Sequence, residues 1–223
     1  MLTIDNMVSA LYPGTKMGIL AIRSLDPSST ADPSAAESAM AEIRRRYGHL
    51  DRAGLKALHP IRAYAEYYRK FGYSYHVLAQ LESVLKGKKQ LRVESGLLQS
   101  MFVTEIESML LTAGHDLAAL QTPLRLSVAA GGETYGSISG NEVCAVPGDL
   151  MVASGGHAVS SILRGPDFAS RITGKTTEAL FTLYAPPGVE PGCIREALES
   201  LERRIRACSP AAETLCLRVY SAD

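Results

Sequence analysis

Between two apolar segments lies the polar stretch Arg164-Gly165-Pro166-Asp167-Phe168-Ala169-Ser170-Arg171-Ile172-Thr173-Gly174-Lys175-Thr176-Thr177. The flanking segments, 158–163 and 178–184, are short apolar runs of the kind that form β-strands. A connection of this length and polarity often carries function. It supplies a carboxylate, hydroxyls and three cations, which together could hold a water and an ester while binding phosphate. The alternative is a surface loop with ordinary turn chemistry, and the residue types alone leave both open.

Before Pro123 the sequence predicts mainly helices, and after Pro123 it predicts mainly strands. A buried strand is expected at 17–25, followed by helices at 33–47, 60–72, 76–86 and 97–112, the last stopped by Gly114. Further strands are expected near 124–130, 133–139, 142–146, 149–153, 158–163, 178–184 and 214–220, with a helix after Pro191. The sum is an α+β fold, with helices packed on an antiparallel or mixed β-sheet or sandwich.

Length and composition favour a globular protein. The chain has 223 residues, of which 46% are hydrophobic and 21% charged, values typical of a folded domain. The N-terminus lacks the basic and apolar regions of a signal peptide, and no apolar run reaches the roughly 18 residues of a membrane span. The four cysteines show no Cys-x-x-Cys spacing, which favours reduced thiols and a cytoplasmic location. They are Cys144, Cys193, Cys208 and Cys216.

Charge is distributed unevenly although the net charge is zero. The section 44–92 holds twelve Lys and Arg against three acidic residues, a local charge of +9. Five tyrosines lie among these charges: Tyr64, Tyr67, Tyr68, Tyr73 and Tyr75. Cations displace counterions from phosphates and aromatic rings stack on bases, so the section suits a polyanion. Solvated helix faces with tyrosines partly in the core are the alternative.

Three familiar motifs are absent. Gly174-Lys175-Thr176 lacks the leading glycine of a phosphate-binding loop, because position 169 is alanine, and a strand rather than a helix is predicted to follow. The segment Gly136–Gly140 has Ile138 where a nucleophile elbow needs serine. The histidines show no metal-ligand spacing, so neither a metal nor another cofactor is predicted.

The stretch resembles the B3/B4 domain of the phenylalanyl-tRNA synthetase β subunit. The resemblance is carried by Asp167, Ser170-Arg171-Ile172-Thr173, Thr176-Thr177 and Ala179-Leu180-Phe181. Further matching pieces are Lys70-Phe71-Gly72, Val84–Lys88, Ala113–Leu117, Ser139–Glu142 and Pro147-Gly148-Asp149, in that order. The resemblance covers about 67–187 and implies a free-standing B3/B4-like domain over 1–223.

The family's module hydrolyses the ester between a wrong amino acid, typically tyrosine, and the terminal ribose of tRNA. The resemblance therefore implies a tRNA-binding protein that deacylates misacylated tRNA in trans, with tRNA as partner and neither DNA nor membrane. A family glutamate that contacts the wrong amino acid has its nearest counterpart in Asp167, which is one methylene shorter. The catalytic candidates are Asp167, Thr176, Thr177 and His157. The substrate-binding candidates are His115, Asp116, Gly165, Ser170 and Thr173, and the RNA-binding ones are Arg164, Arg171, Lys175, Lys86, Lys88 and Lys89.

Two alternatives remain open. A non-catalytic RNA-binding module would keep the fold without the chemistry, and its affinity for tRNA would fall steeply with salt. A pocket protein would bind a free amino acid or a related metabolite and no RNA.

Overall fold

A computed structural model of the chain describes residues 1–88 and 93–222. The helices are Asn6–Leu11 (α1), Pro33–Tyr47 (α2), Arg52–Ala57 (α3), His59–Arg69 (α4), His76–Leu85 (α5), Gly96–Ser108 (α6) and Pro191–Cys208 (α7). The strands are Leu2–Ile4 (β1), Lys16–Arg23 (β2), Thr112–Asp116 (β3), Leu124–Val128 (β4), Thr134–Gly136 (β5), Glu142–Cys144 (β6), Leu150–Ser154 (β7), His157–Ser161 (β8), Gly165–Pro166 (β9), Ala179–Ala185 (β10) and Glu213–Ser221 (β11). A 3₁₀ turn spans Leu117–Ala119.

The strands form two larger sheets and one small hairpin. The first sheet has the order β1-β4-β7-β8-β9, with β1 parallel to β4 and the other neighbours antiparallel. The second has the order β11-β2-β10-β3 and is antiparallel throughout. Strands β5 and β6 form the hairpin. The predicted α+β class, with helices on mixed or antiparallel sheets, is therefore confirmed. None of the helices in the described ranges has the length and hydropathy that crossing a bilayer requires.

A local capping signal explains where helix α2 begins, and close packing on a sheet positions helix α7. The Asp32 carboxylate accepts hydrogen bonds from the backbone N–H groups of Ser34 and Ala35 and so caps α2, whose first residue is Pro33. Helix α7 packs its apolar face on strand β2 at Gly18. A Cβ at position 18 would lie 2.7 Å from Ile194 Cγ2, so only glycine allows the helix this close to the sheet.

The predicted end of the fourth helix is wrong, and this error concerns the region of the site. Helix α6 ends at Ser108 rather than Thr112, and Met109 follows in the left-handed conformation with φ 59°. Gly114, expected to stop the helix, lies inside β3. The apolar run after Ser108 suits a helix and a strand equally, and its pairing with β10 decides in favour of the strand.

Four of the five tyrosines in the basic section belong to the core, which favours the alternative of core packing over the stacking of these rings on bases. Their hydroxyls bond to groups inside the protein. Tyr67 donates to Asp149 Oδ1 over 2.7 Å, and Tyr68 and Tyr75 donate to backbone carbonyls over 2.9 and 3.0 Å. Tyr64 donates to the Tyr184 carbonyl. Apolar rings with satisfied hydroxyls gain more from burial than from solvent. Tyr73 alone among the five is exposed, at 43%.

We expect Tyr67→Phe to lower the free energy of unfolding by about 1–3 kcal/mol, because it removes a buried hydrogen bond to Asp149 and the acceptor of the Leu150 N–H. Chemical denaturation measures this change. Tyr73→Phe is the matched control and should have almost no effect, since that ring is exposed. Equal stability of the two variants would contradict the assigned role of the Tyr67 hydroxyl.

Candidate functional site

The polar stretch between β8 and β10 is held against β3. Strand β10 pairs with β3 from Ala179 opposite Asp116 to Leu183 opposite Thr112. Upstream of β10, an isolated β-bridge joins Arg171 to His115, and the Asp116 N–H donates to the Ser170 carbonyl over 2.6 Å. The backbone of the stretch is thereby fixed alongside the end of β3.

Three of the predicted site residues form a buried hydrogen-bonded group, here called the His115 cluster: His115, Ser170 and Asp167. The Ser170 hydroxyl donates to Asp167 Oδ1 and lies 2.7 Å from His115 Nδ1. The Ser170 N–H donates to Asp167 Oδ2 over 3.2 Å. His115 and Ser170 are 0% and 2% exposed, so water does not compete for these bonds.

The cluster has a defined protonation pattern. A serine hydroxyl has one proton, so if Ser170 donates to Asp167 it accepts from a protonated His115 Nδ1. Burial raises the pKa of Asp167, but the nearby His115 ring, whose Nδ1 lies 3.7 Å from Asp167 Oδ1, and the hydrogen bonds from Ser170 outweigh burial and hold that pKa below its usual value. Asp167 is therefore the ionised acceptor of the cluster at neutral pH. Among the described residues, His115 Nε2 has no hydrogen-bond partner and is buried.

A second attachment ties the end of the stretch to β3. The Thr176 hydroxyl donates to Asp116 Oδ2 over 2.7 Å and accepts from the Thr173 N–H over 3.0 Å. Thr176 is fully buried. This side chain therefore connects the end of the loop to β3 from inside the protein.

A cavity of about 500 Å³ lies next to this loop, whose residues Arg171 and Ile172 line it. Its walls come from α5, α6, β3 and the segment around β9. Helix α6 contributes the apolar side chains of Leu98, Met101 and Phe102. Its buried Glu105 accepts from the Thr112 N–H and hydroxyl, both over 2.9 Å. The lining includes Leu98, Met101, Phe102, Glu105, Thr112, Gly114, Ile138, Ile162, Gly165, Pro166 and Ile172.

Two arginines, Arg164 and Arg171, also line the cavity. Arg164 Nε donates to the Cys144 carbonyl over 3.2 Å, and Arg171 donates to the Phe168 carbonyl over 2.7 Å. Within residues 1–88 and 93–222, neither forms an ion pair with a carboxylate. Their positive charges are therefore available to an anionic ligand.

Exposed aromatic rings accompany the two arginines. The Arg171 guanidinium lies 3.5 Å from the centre of the Phe168 ring, and that of Arg164 lies 5.7 Å from the Tyr73 ring. Phe168 and Tyr73 are each 43% exposed. The two arginines with their two rings are called the arginine rim below.

The structure brings some predicted residues together and separates others. Gly165, Arg164 and Arg171 line the cavity. The His115 cluster and the Asp116–Thr176 pair do not line it. The remaining candidates are exposed: Thr173, Lys175, Thr177, His157, Lys86 and Lys88.

His157 and Thr177 lie apart from the His115 cluster in the hydrogen-bond network. His157 begins β8 after the turn at Gly155-Gly156, and no hydrogen bond within the described ranges joins its ring to the cluster. The Thr177 carbonyl accepts from the Leu25 N–H over 2.9 Å. Lys89 lies outside the described residues.

Several cations of the basic section are paired, which reduces the charge expected there. Arg52 pairs with Glu82 at 2.6 Å, and Arg45 with Glu42 at 2.6 Å. Arg44 pairs with Glu37. Two of these partners, Glu37 and Glu42, lie just before the section, so the sequence count of +9 overstates the local charge.

The main residues missed by the sequence reasoning are those of the cavity wall on α6 and β3. One signal was present, since Glu105 lies on the same helix edge as Met101 and Met109, where a carboxylate is unusual. Thr112 is not identifiable from the sequence, because the apolar run that ends there predicts a helix and the residue lies in β3.

We expect Asp167→Asn to destabilise the protein at neutral pH by about 1.5–3 kcal/mol, the range for hydrogen bonds to charged groups. Because the folded state lowers the pKa of Asp167, its stabilisation is complete above the ordinary carboxyl pKa of about 3.9 and is lost as the pH falls through the lower folded-state value. Urea denaturation from pH 7 to pH 3 should show the wild type and the variant converging in acid.

Glu66→Gln is the control for this titration, and its gap to the wild type should stay near zero at every pH. Glu66 is an exposed carboxylate on α4 that forms no ion pair within residues 1–88 and 93–222. A constant gap between wild type and Asp167→Asn across the pH range would show that ionisation of Asp167 does not support the cluster.

Comparisons with known proteins concern the fold. No family model matches the chain, and no curated protein matches its sequence. Among solved structures, the chain is similar to an N-terminal fragment of the phenylalanyl-tRNA synthetase β-subunit from Pyrococcus horikoshii, with a TM-score of 0.51 and 9% sequence identity. The similarity covers 96% of this chain and 50% of that fragment, so the chain spans half of its length. At this identity the comparison shows a shared architecture, in agreement with the predicted B3/B4-like fold.

Proposed function

We propose that this protein binds the acceptor end of aminoacyl-tRNA and hydrolyses the ester of misacylated tRNA. The observation that carries the proposal is the arginine rim, where two guanidinium groups without carboxylate partners in the described chain lie on a largely apolar cavity. Such a site suits a ligand with a side chain to bury and a phosphate beside it. The fold similarity to a fragment of a tRNA synthetase subunit supports the choice of tRNA.

The aminoacyl group is assigned to the cavity. Its volume of about 500 Å³ falls within the usual range for small-ligand sites. Apolar walls from Met101, Phe102 and Ile172 favour a hydrophobic side chain, whereas Thr112 and Ser161 supply polar groups that could orient it. A hydrophobic pocket with few polar groups selects mainly by size and by the satisfaction of those groups.

The terminal nucleotides are assigned to the arginine rim. Guanidinium groups bind phosphate in a bidentate manner, and the exposed rings of Phe168 and Tyr73 can stack on unpaired bases. This rim replaces the tyrosines of the basic section as the proposed nucleic-acid contact. The exposed Lys86, Lys88 and Lys175 would add sequence-independent attraction.

Hydrolysis requires positioning more than a strong nucleophile. A water molecule attacks the ester carbonyl, the bond to the ribose oxygen breaks, and that oxygen takes a proton, leaving free amino acid and tRNA. Holding the ester and water in the right geometry supplies much of the acceleration. The resemblance implies catalytic roles for Asp167 and Thr176. Both are buried and neither lines the cavity, which supports a role in holding the loop.

The proposed unit of function is the whole chain as one B3/B4-like domain. The main cluster of buried side chains in the described ranges extends from Leu2 to Ala222 and supports this view, because it includes members of both larger sheets and of all seven helices named above.

Substitution of the rim tests the proposal. Arg164→Ala and Arg171→Ala should each weaken tRNA binding about tenfold or more, as expected for loss of a charged hydrogen bond. Each should also lower the salt dependence of log K by about one unit, since one phosphate contact is lost. Binding and deacylation are measured with tRNAs charged with tyrosine and other amino acids, over a series of salt concentrations.

Arg195→Ala is the matched control, because Arg195 is an exposed arginine on α7 and does not line the cavity. Salt-dependent binding without hydrolysis of any charged tRNA would contradict the enzymatic part and favour an RNA-binding module. Absence of tRNA binding, with a thermal shift by free amino acids, would contradict the proposal and favour a metabolite pocket.

A further inference from the structure

The segment that carries Arg171 is anchored on both sides of that residue. Before it, Ser170 bonds to His115 and Asp167 within the His115 cluster. After it, Ile172 is buried against β3, and a Cβ at Gly114 would lie 2.9 Å from Ile172 Cδ1. Arg171 itself is joined to His115 by the isolated β-bridge. The backbone of a cavity-lining cation is therefore fixed in part by the His115 cluster, whose members do not line the cavity.

The hydroxyl of Ser170 is the central connection of this anchor. It lies between His115 Nδ1 and Asp167 Oδ1, and all three residues are at most 7% exposed. Loss of the hydroxyl would leave two buried polar groups without their shared partner, and water could not replace it without opening the loop. A change at Ser170 should therefore be transmitted to the next residue, Arg171.

We propose that the His115 cluster is a positioning unit that fixes Arg171 at the cavity for an anionic ligand. This inference rests on the proposed function, which makes the ligand the phosphate of a tRNA acceptor end. The members of the cluster are positioning residues, because none of them lines the cavity. Thr176 and Asp116 hold the far end of the same loop and limit the disturbance to the segment around Arg171.

A double-mutant cycle tests the proposal. Ser170→Ala should raise the KM for misacylated tRNA about as much as Arg171→Ala, with kcat largely unchanged, because the lost contact holds ground state and transition state alike. The double variant should show the KM of Arg171→Ala alone, since an arginine that is absent can no longer be misplaced. Asp167→Asn, which keeps the shape of the side chain, should reproduce the effect of Ser170→Ala.

Ser209→Ala is the matched control. Its hydroxyl is also fully buried and accepts a hydrogen bond, from the Asp26 N–H over 2.8 Å, but it lies outside the cavity lining. It should lower thermal stability without changing KM. Hydrogen exchange of the peptide 167–173 supplies a readout independent of tRNA, and exchange there should increase in Ser170→Ala and not in Ser209→Ala.

The outcomes separate the two proposals. If Arg171→Ala weakens binding of tRNA and Ser170→Ala leaves both KM and hydrogen exchange unchanged, the positioning role is wrong and the proposed function stands. Additive effects of the two substitutions would also overturn the positioning role. If the wild type binds no tRNA, the proposed function fails, and with it the assigned ligand, even where exchange of 167–173 responds to Ser170→Ala.

Discussion

The pairing of β3 with β10 is the constraint on which the site depends. Strand β10 is buried along its whole length and pairs with β2 on one side and β3 on the other. Because β10 follows the polar stretch directly, its register fixes where that stretch must end. The stretch can then bond to the end of β3 through His115 and Asp116. A shift in this register would separate both attachments and remove one wall of the cavity.

The same pairing separates the chemistry of the loop into two parts. One face carries buried, mutually satisfied groups centred on Ser170, and the other presents Arg171 to the cavity. Buried polar networks of this kind specify one arrangement, because an unpaired member is costly. We therefore propose that His115, Ser170 and Asp167, which resemble a catalytic set, position the loop. The groups available to a ligand are arginines, aromatic rings and the cavity walls.

Aromatic residues are divided in a similar way between core and surface. The tyrosines of α4 point inward, where Tyr64 accepts from the Leu111 N–H at the entry to β3 and Tyr67 contacts the buried Asp149. Burial raises the pKa of both Asp149 and Tyr67. The Tyr67 phenol therefore keeps its proton and donates it in a hydrogen bond to the Asp149 carboxylate, away from water. These rings thus support the sheets that hold the site. In the proposed function, the exposed rings that contact the ligand are those of Tyr73 and Phe168 at the arginine rim.

The sequence alone predicted the α+β class, helix α2 with its Asp32 cap, helix α7, and the strands on either side of 164–177, because capping residues, glycine stops and apolar periodicity act locally. It also singled out Asp167, Ser170 and His115, whose convergence only the structure decided. The strand at Thr112–Asp116, the burial of the tyrosines and the cavity wall on α6 followed from contacts distant in the chain. An apolar run has no preference between helix and strand until a partner strand is present, and a side chain's exposure depends on what packs against it.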